Sequence, residues 1–160
     1  SGCIINVASI SGRLAASPMG PYAASKFALE AMSECLAQEV KPFNVRVAIV
    51  EPGITQTQMA TRISVVPGSS QYPGPGRMAA LYRGVLVHPV PPTLVAEKVL
   101  EIAVGSSWQL RHLVGPDAAP FLAWRQAMSD EEWVAFGALD DDAWYARVKA
   151  DFGIDARPHT

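Results

Sequence analysis

Short apolar runs at residues 3–8, 45–50 and 108–114 alternate with segments of helical periodicity, and that alternation leaves few folds open. The first run, Cys3 to Ala8, is almost unbroken. The second begins by alternating, Val45-Arg46-Val47, and then becomes wholly apolar through Val50. Near-continuous apolar strands suit a sheet buried on both faces. Between them, residues 21–41 read as a long helix. Pro21 fits a first turn, Pro42 stops it, and Ala24, Phe27, Ala28, Ala31, Cys35 and Leu36 recur at helical spacing and would make one apolar face. A second helix is expected over 92–104. Helical crossovers between buried strands predict an α/β fold with a parallel sheet and helices on both faces.

Three strands are few for such a sheet, and one edge is expected to be open unless further strands precede residue 1. The first apolar run also opens almost at residue 1, so the N-terminal boundary is read as a truncation. Residues 54–91 are rich in Gly, Pro, Ser and Gln. The stretch 66–76 is expected to be irregular, as functional loops often are. Beyond Gly115-Pro116-Asp117 the tail reads as helical. Ser129 to Glu132 forms a capping box, and Asp140 to Asp142 forms a helix N-terminus. The division expected is 1–117 as an α/β unit and 118–160 as a helical extension, with Trp124, Trp133 and Trp144 as packing anchors.

Composition narrows the function classes. Net charge is −2, with no run of Lys or Arg, so neither nucleic acid nor an anionic membrane surface is an expected partner. No apolar stretch is long enough to span a bilayer. Cys3 and Cys35 lie in apolar segments outside any C-x-x-C pattern and read as reduced, buried thiols of a cytoplasmic protein. His88, His112 and His159 are scattered without metal-ligand spacing, so no metal site is expected.

Chemistry concentrates in three places. Tyr22 and Lys26 are four apart on the long helix and share one face. A phenol titrates near about 10, and an ammonium one turn away favours its charged form, which prepares it for acid/base work on a carbonyl/alcohol pair. Ser9 follows the first strand, where ligands of open α/β sheets bind, and its hydroxyl can donate to an oxygen gaining negative charge. Pro52, Gly53, Ile54 and Thr57 follow the second strand. Pro52-Gly53 also reads as a strand stop and Thr57 as a helix N-cap, both compatible with ligand contact. Ser9 could equally cap a turn, while Ser11 lies two positions closer to Tyr22. Neither serine has the G-x-S-x-G surroundings of a hydrolase nucleophile.

Ile4 to Gly12, then Tyr22, Ser25 and Lys26, then Pro52, Gly53 and Thr57, strongly resemble the short-chain dehydrogenase/reductase family over residues 1 to about 116. The resemblance implies the C-terminal half of a Rossmann-like, doubly wound domain and an NAD(P)-dependent oxidoreductase of the alcohol dehydrogenase or carbonyl reductase type. It implies Tyr22 as acid/base, Ser9 as carbonyl polariser and Lys26 as ribose binder. Pro52, Gly53, the Ile54 backbone and the Thr57 hydroxyl would lie along the nicotinamide carboxamide. The segment after Thr57 would bind a small-molecule alcohol or carbonyl substrate, with Met59, Tyr72, Met78, Leu81 and Tyr82 as apolar candidates. A homo-oligomeric parent is also implied. The family's T-G-x-x-x-G-x-G turn, its N-A-G segment and the residue that selects NAD or NADP do not occur in these 160 residues. The fragment alone is therefore not expected to hold a dinucleotide. The alternative is a non-catalytic remnant that acts, if at all, through helix 21–41 as an interaction or dimerisation module.

Overall fold

The computed structural model describes residues 1–65 and 70–157. Strands β1 (Gly2–Val7), β2 (Val45–Pro52) and β3 (Arg111–Val114) form a parallel sheet in the order β1-β2-β3. Cys3 lies opposite Arg46 and Val7 opposite Val50, while Ile49 to Pro52 face Arg111 to Val114. The central strand carries the core, with Ile49 and Val50 wholly buried. β3 is shorter than the 108–114 run. Leu110 still accepts from the Ile49 N–H at 2.6 Å, but Trp108 has left the sheet and lies under the Lys41 ammonium, 3.3 Å from its ring centroid.

The period-two alternation of β2 sorts its side chains to two different layers. Ala48 and Val50 pack with Val114, Cys3 and Ile5 against Val95, Val99 and Ile102 of α4 (Pro92–Val104). The opposite face, with Asn6 and Glu51, lies under α1 (Gly20–Val40), where the Asn6 amide donates to Ser33 Oγ at 2.8 Å.

This polar contact fixes the orientation of α1, which the sequence left open. Ala23, Glu30 and Ser33 are buried, whereas Ala24, Phe27, Ala28, Ala31 and Cys35 are exposed and Leu36 is only half-buried. The sheet face beneath offers Asn6, Glu51 and Arg111, so polar partners rather than the longest apolar stripe set the rotation of the helix. Cys35 is therefore not a buried thiol. The outer edge of β1 pairs with no strand among the described residues, and Ile4 and Val7 there are partly exposed.

Residues 54–91 contain more regular structure than expected. They carry α2 (Gln58–Ile63) and α3 (Pro73–Val85), so 73–76 are a first helical turn and not loop. Proline costs nothing there because the first N–H groups of a helix lack intrahelical partners. Gly74 allows close approach to Ser17, whose Oγ a Cβ would overlap. Residues 66–69 of the expected irregular stretch, and His159, lie outside the described residues.

The tail is three helices, α5 (Ala118–Gln126), α6 (Asp130–Ala138) and α7 (Asp141–Phe152). The Ser129–Glu132 capping box forms as expected, and Asp140 caps α7 by accepting from the Ala143 N–H. Phe121 and Leu122 share a buried cluster with Ile10 and Ile54, so the tail packs directly onto the loops that leave β1 and β2.

Candidate active site

A cavity of about 990 Å³ opens beyond the carboxyl ends of β1 and β2. Ser9, Tyr22, Lys26, Pro52, Gly53, Ile54 and Thr57, all singled out from the sequence, line it. Their convergence follows from the fold. Parallel strands end on the same side, and α1 starts its first turns at that side before running back along the sheet.

Ser9 is buried and starts a short 3₁₀ turn. Its Oγ accepts from the Ser11 N–H at 3.1 Å and donates to the Pro52 carbonyl at 3.4 Å. The turn-cap reading thus holds, and the long, weak bond to Pro52 leaves the hydroxyl hydrogen available to a better acceptor. Lys26 Nζ donates to the Val7 carbonyl at 3.1 Å and sits 5.7 Å from the Tyr22 ring centroid. An ammonium has three hydrogens, so anchoring one to the strand end leaves two for a ligand.

Thr57 caps α2, its Oγ1 accepting from the Ala60 N–H at 3.2 Å; the cap uses the oxygen and not the hydroxyl hydrogen. The Ile54 N–H, by contrast, is already engaged and donates to Asp117 Oδ2 at 2.7 Å. Asp117 was legible only as part of a strand exit. Its carboxylate braces the Gly53-Ile54 turn, and its other oxygen is buried without a hydrogen-bond partner. Burial pushes the Asp117 carboxyl up from its ordinary range, partly offset by the Ile54 N–H. The only sequence signal was Gly53, where a side chain would overlap that carboxylate.

Tyr82 of α3 enters the same cavity. Burial first, then the neighbouring Tyr22 and Asp117 charges, push its phenol up to about 12. It therefore stays protonated through the neutral range and acts only as a neutral donor. Aromatic rings of the tail, Trp124, Trp133 and Phe136, also line the cavity. Trp124 and Trp133 were expected only as packing anchors. The rings do pack on one another: Trp124 stands edge-on to Trp133 at 5.4 Å, and Phe136 is stacked on Trp133 at 5.7 Å.

The donor set suits the nicotinamide end of a dinucleotide. An ammonium and a phenol on one helix edge match vicinal ribose hydroxyls, and a free hydroxyl hydrogen at Thr57 matches a carboxamide oxygen. No helix among the described residues is long and apolar enough to cross a membrane.

Residues 1–65 match the family model for short chain dehydrogenase. An uncharacterized oxidoreductase of Schizosaccharomyces pombe is 32% identical over 139 residues, covering 84% of this chain and 58% of that protein. A crystal structure of a short-chain dehydrogenase from Streptomyces avermitilis superposes with a TM-score of 0.62 at 31% identity, over 87% of this chain and 53% of that one. A short-chain dehydrogenase from Burkholderia cenocepacia, solved in complex with NADP, superposes with a TM-score of 0.53 at 26% identity, over 92% and 47% respectively. The chain thus spans about half the length of the relatives it matches. With the parallel sheet, the ordered motifs and these likenesses taken together, the chain belongs to the short-chain dehydrogenase/reductase family of oxidoreductases.

Proposed function

We propose that this chain carries the proton-transfer machinery of an NAD(P)-dependent enzyme that interconverts an alcohol and a carbonyl compound. The reading rests on one observation, the meeting of Ser9, Tyr22 and Lys26 with the Pro52–Thr57 segment around a single cavity. The NADP complex of the Burkholderia cenocepacia relative supports the cofactor class. Lys26 and Tyr22 would hold the nicotinamide ribose, and Pro52, Gly53, Ile54 and Thr57 would bed the carboxamide. The Thr57 hydroxyl is the ready donor there, since the Ile54 amide would first have to leave Asp117. When bound, the nicotinamide supplies or accepts the hydride.

In the reductive direction Ser9 turns its hydroxyl from the Pro52 carbonyl to the substrate oxygen and polarises the C=O bond. Tyr22 donates to the same oxygen. As the carbon gains the hydride, Tyr22 passes its proton to the oxygen and the product is the alcohol. Lys26, fixed by the Val7 carbonyl, stabilises the negative charge left on the Tyr22 oxygen. Oxidation runs the same proton path backwards.

In the full-length protein, Tyr22→Phe removes the transferable proton but keeps the ring. Turnover of a carbonyl substrate should fall by roughly 10²–10⁴-fold, the usual worth of a positioned acid/base group. Binding of the reduced cofactor, followed by its fluorescence, should weaken far less than turnover, since Lys26 still holds the ribose. A variant with near-normal turnover would remove Tyr22 from the mechanism.

A further inference from the structure

The cavity lining is mostly apolar. Ser9, Lys26 and Thr57 lie by the strand ends, and neutral hydroxyls such as those of Ser17, Tyr72 and Tyr82 also reach it. Leu14, Met78, Leu81 and the tail aromatics Trp124, Trp133 and Phe136 supply much of the apolar wall. Lys26 and Arg77 are the only charged residues among the lining residues. Arg77 is itself buried and directs its Nε to Asp141, its Nη1 to the Gly137 carbonyl and its Nη2 to the Leu139 carbonyl. Among the described residues the apolar wall therefore presents no uncommitted cation for a carboxylate or phosphate. A bare anion there would lose its hydration without a partner, whereas an apolar group gains from burial.

The aromatic wall is held in place before any ligand arrives. Trp133 Nε1 donates to the Ala15 carbonyl at 2.8 Å, on the loop between Ser9 and Tyr22, and the Arg125 guanidinium lies 5.3 Å from the Trp133 ring centroid. With Trp124 edge-on and Phe136 stacked, the indole has little freedom to swing away. A preset apolar wall takes up an apolar body without an ordering cost.

We propose that the tail, residues 118–157, is the specificity wall of the site and selects a neutral ketone or secondary alcohol with a large apolar body, discriminating against short and against anionic carbonyl compounds. This rests on the oxidoreductase reading for the position of the reacting oxygen, at Ser9 and Tyr22, while the choice of apolar body rests on the wall itself.

The test uses the full-length protein and three probes, 2-decanone, butanone and 9-oxodecanoate, which carries its carboxylate at the far end of the decanone chain. Binding is read by tryptophan fluorescence without cofactor, and turnover is read separately with NADH and NADPH. Each buried methylene is worth about 0.8 kcal/mol, so 2-decanone should bind at least about 100-fold more tightly than butanone. It should also bind at least about tenfold more tightly than 9-oxodecanoate. Trp133→Leu should reduce the decanone-to-butanone ratio at least about tenfold. Equal affinity for the two ketones, or a preference for the anion, overturns the proposal, and the wild-type series decides it even if the variant does not fold. Tight decanone binding without nicotinamide-dependent turnover leaves the wall standing and removes the dehydrogenase reading. Turnover that favours butanone does the reverse.

Discussion

Gly53 and Asp117 show how closely single residues are matched around the site. Gly53 has no side chain where the Asp117 carboxylate lies, and Gly115, at φ 101°, takes the left-handed turn that brings Asp117 back onto it. Gly53→Ala should push the carboxylate off the Ile54 N–H and cost about 1–3 kcal/mol, the range for overpacking and a lost buried hydrogen bond. Because Gly53 and Asp117 share one space, adding Asp117→Ala should cost less than the sum of the two single changes, measured by urea unfolding. Strict additivity would mean that the contact is unimportant. Of this pair the sequence displayed two separate strand stops, at Pro52-Gly53 and at Gly115-Pro116-Asp117, and not their meeting. Which atom needs the room depends on a residue sixty-four positions later, and no local pattern carries that information. The Ser9, Tyr22 and Lys26 set was legible because each sits at a strand end or on one helix face, where spacing alone fixes direction.

Among the elements, α3 departed from expectation, and α1 took a rotation that the sequence left open. The α1 rotation followed the polar demands of Asn6, Glu51 and Arg111 on the sheet, which periodicity cannot register. The first turn of α3 was hidden by prolines and glycines that suit a helix start as well as a loop. α3 is joined to the tail by Arg77, whose fork spans the α6–α7 connection in three directions. Arg77→Met keeps the buried stem but removes those donors and should lower unfolding stability by about 1–3 kcal/mol. Arg77→Lys should not restore it, since a single ammonium cannot reproduce the planar fork. Denaturant midpoints for the two variants check this; a lysine variant as stable as the parent would show that charge alone suffices.

Across the whole molecule, Glu51 lies at the centre of the charge network beneath α1. It is fully buried, with Arg13 Nη1 3.5 Å from Oε1 and Arg111 Nε 4.0 Å away. The Arg13 contact is within ion-pair distance, but neither Glu51 oxygen has hydrogen-bond geometry. Burial, and then the Glu30 charge, push the Glu51 carboxyl above its ordinary 4.5; Arg13 and Arg111 oppose this only in part. The folded chain thus holds this proton more tightly than the unfolded one. Its contribution to stability is present below about 4.5 and is lost as pH rises through the folded value. Glu51→Gln should therefore gain stability relative to the parent as pH rises from 4 towards neutral, seen as diverging urea midpoints. Parallel curves would show that Arg13 and Arg111 fully compensate the charge.

By itself the sequence determined the strand–helix alternation, the parallel sheet and the residues at its carboxyl ends, because these follow from periodicity and short-range spacing. It also determined the helix caps at Ser129 and Asp140, which are local hydrogen-bond patterns. Tertiary structure alone decided which face α1 buries, what fills the space beside Gly53, and that the tail aromatics reach the same cavity as Tyr22. Each of these depends on side chains far apart in the chain competing for one volume, and packing of that kind is settled only when the layers close.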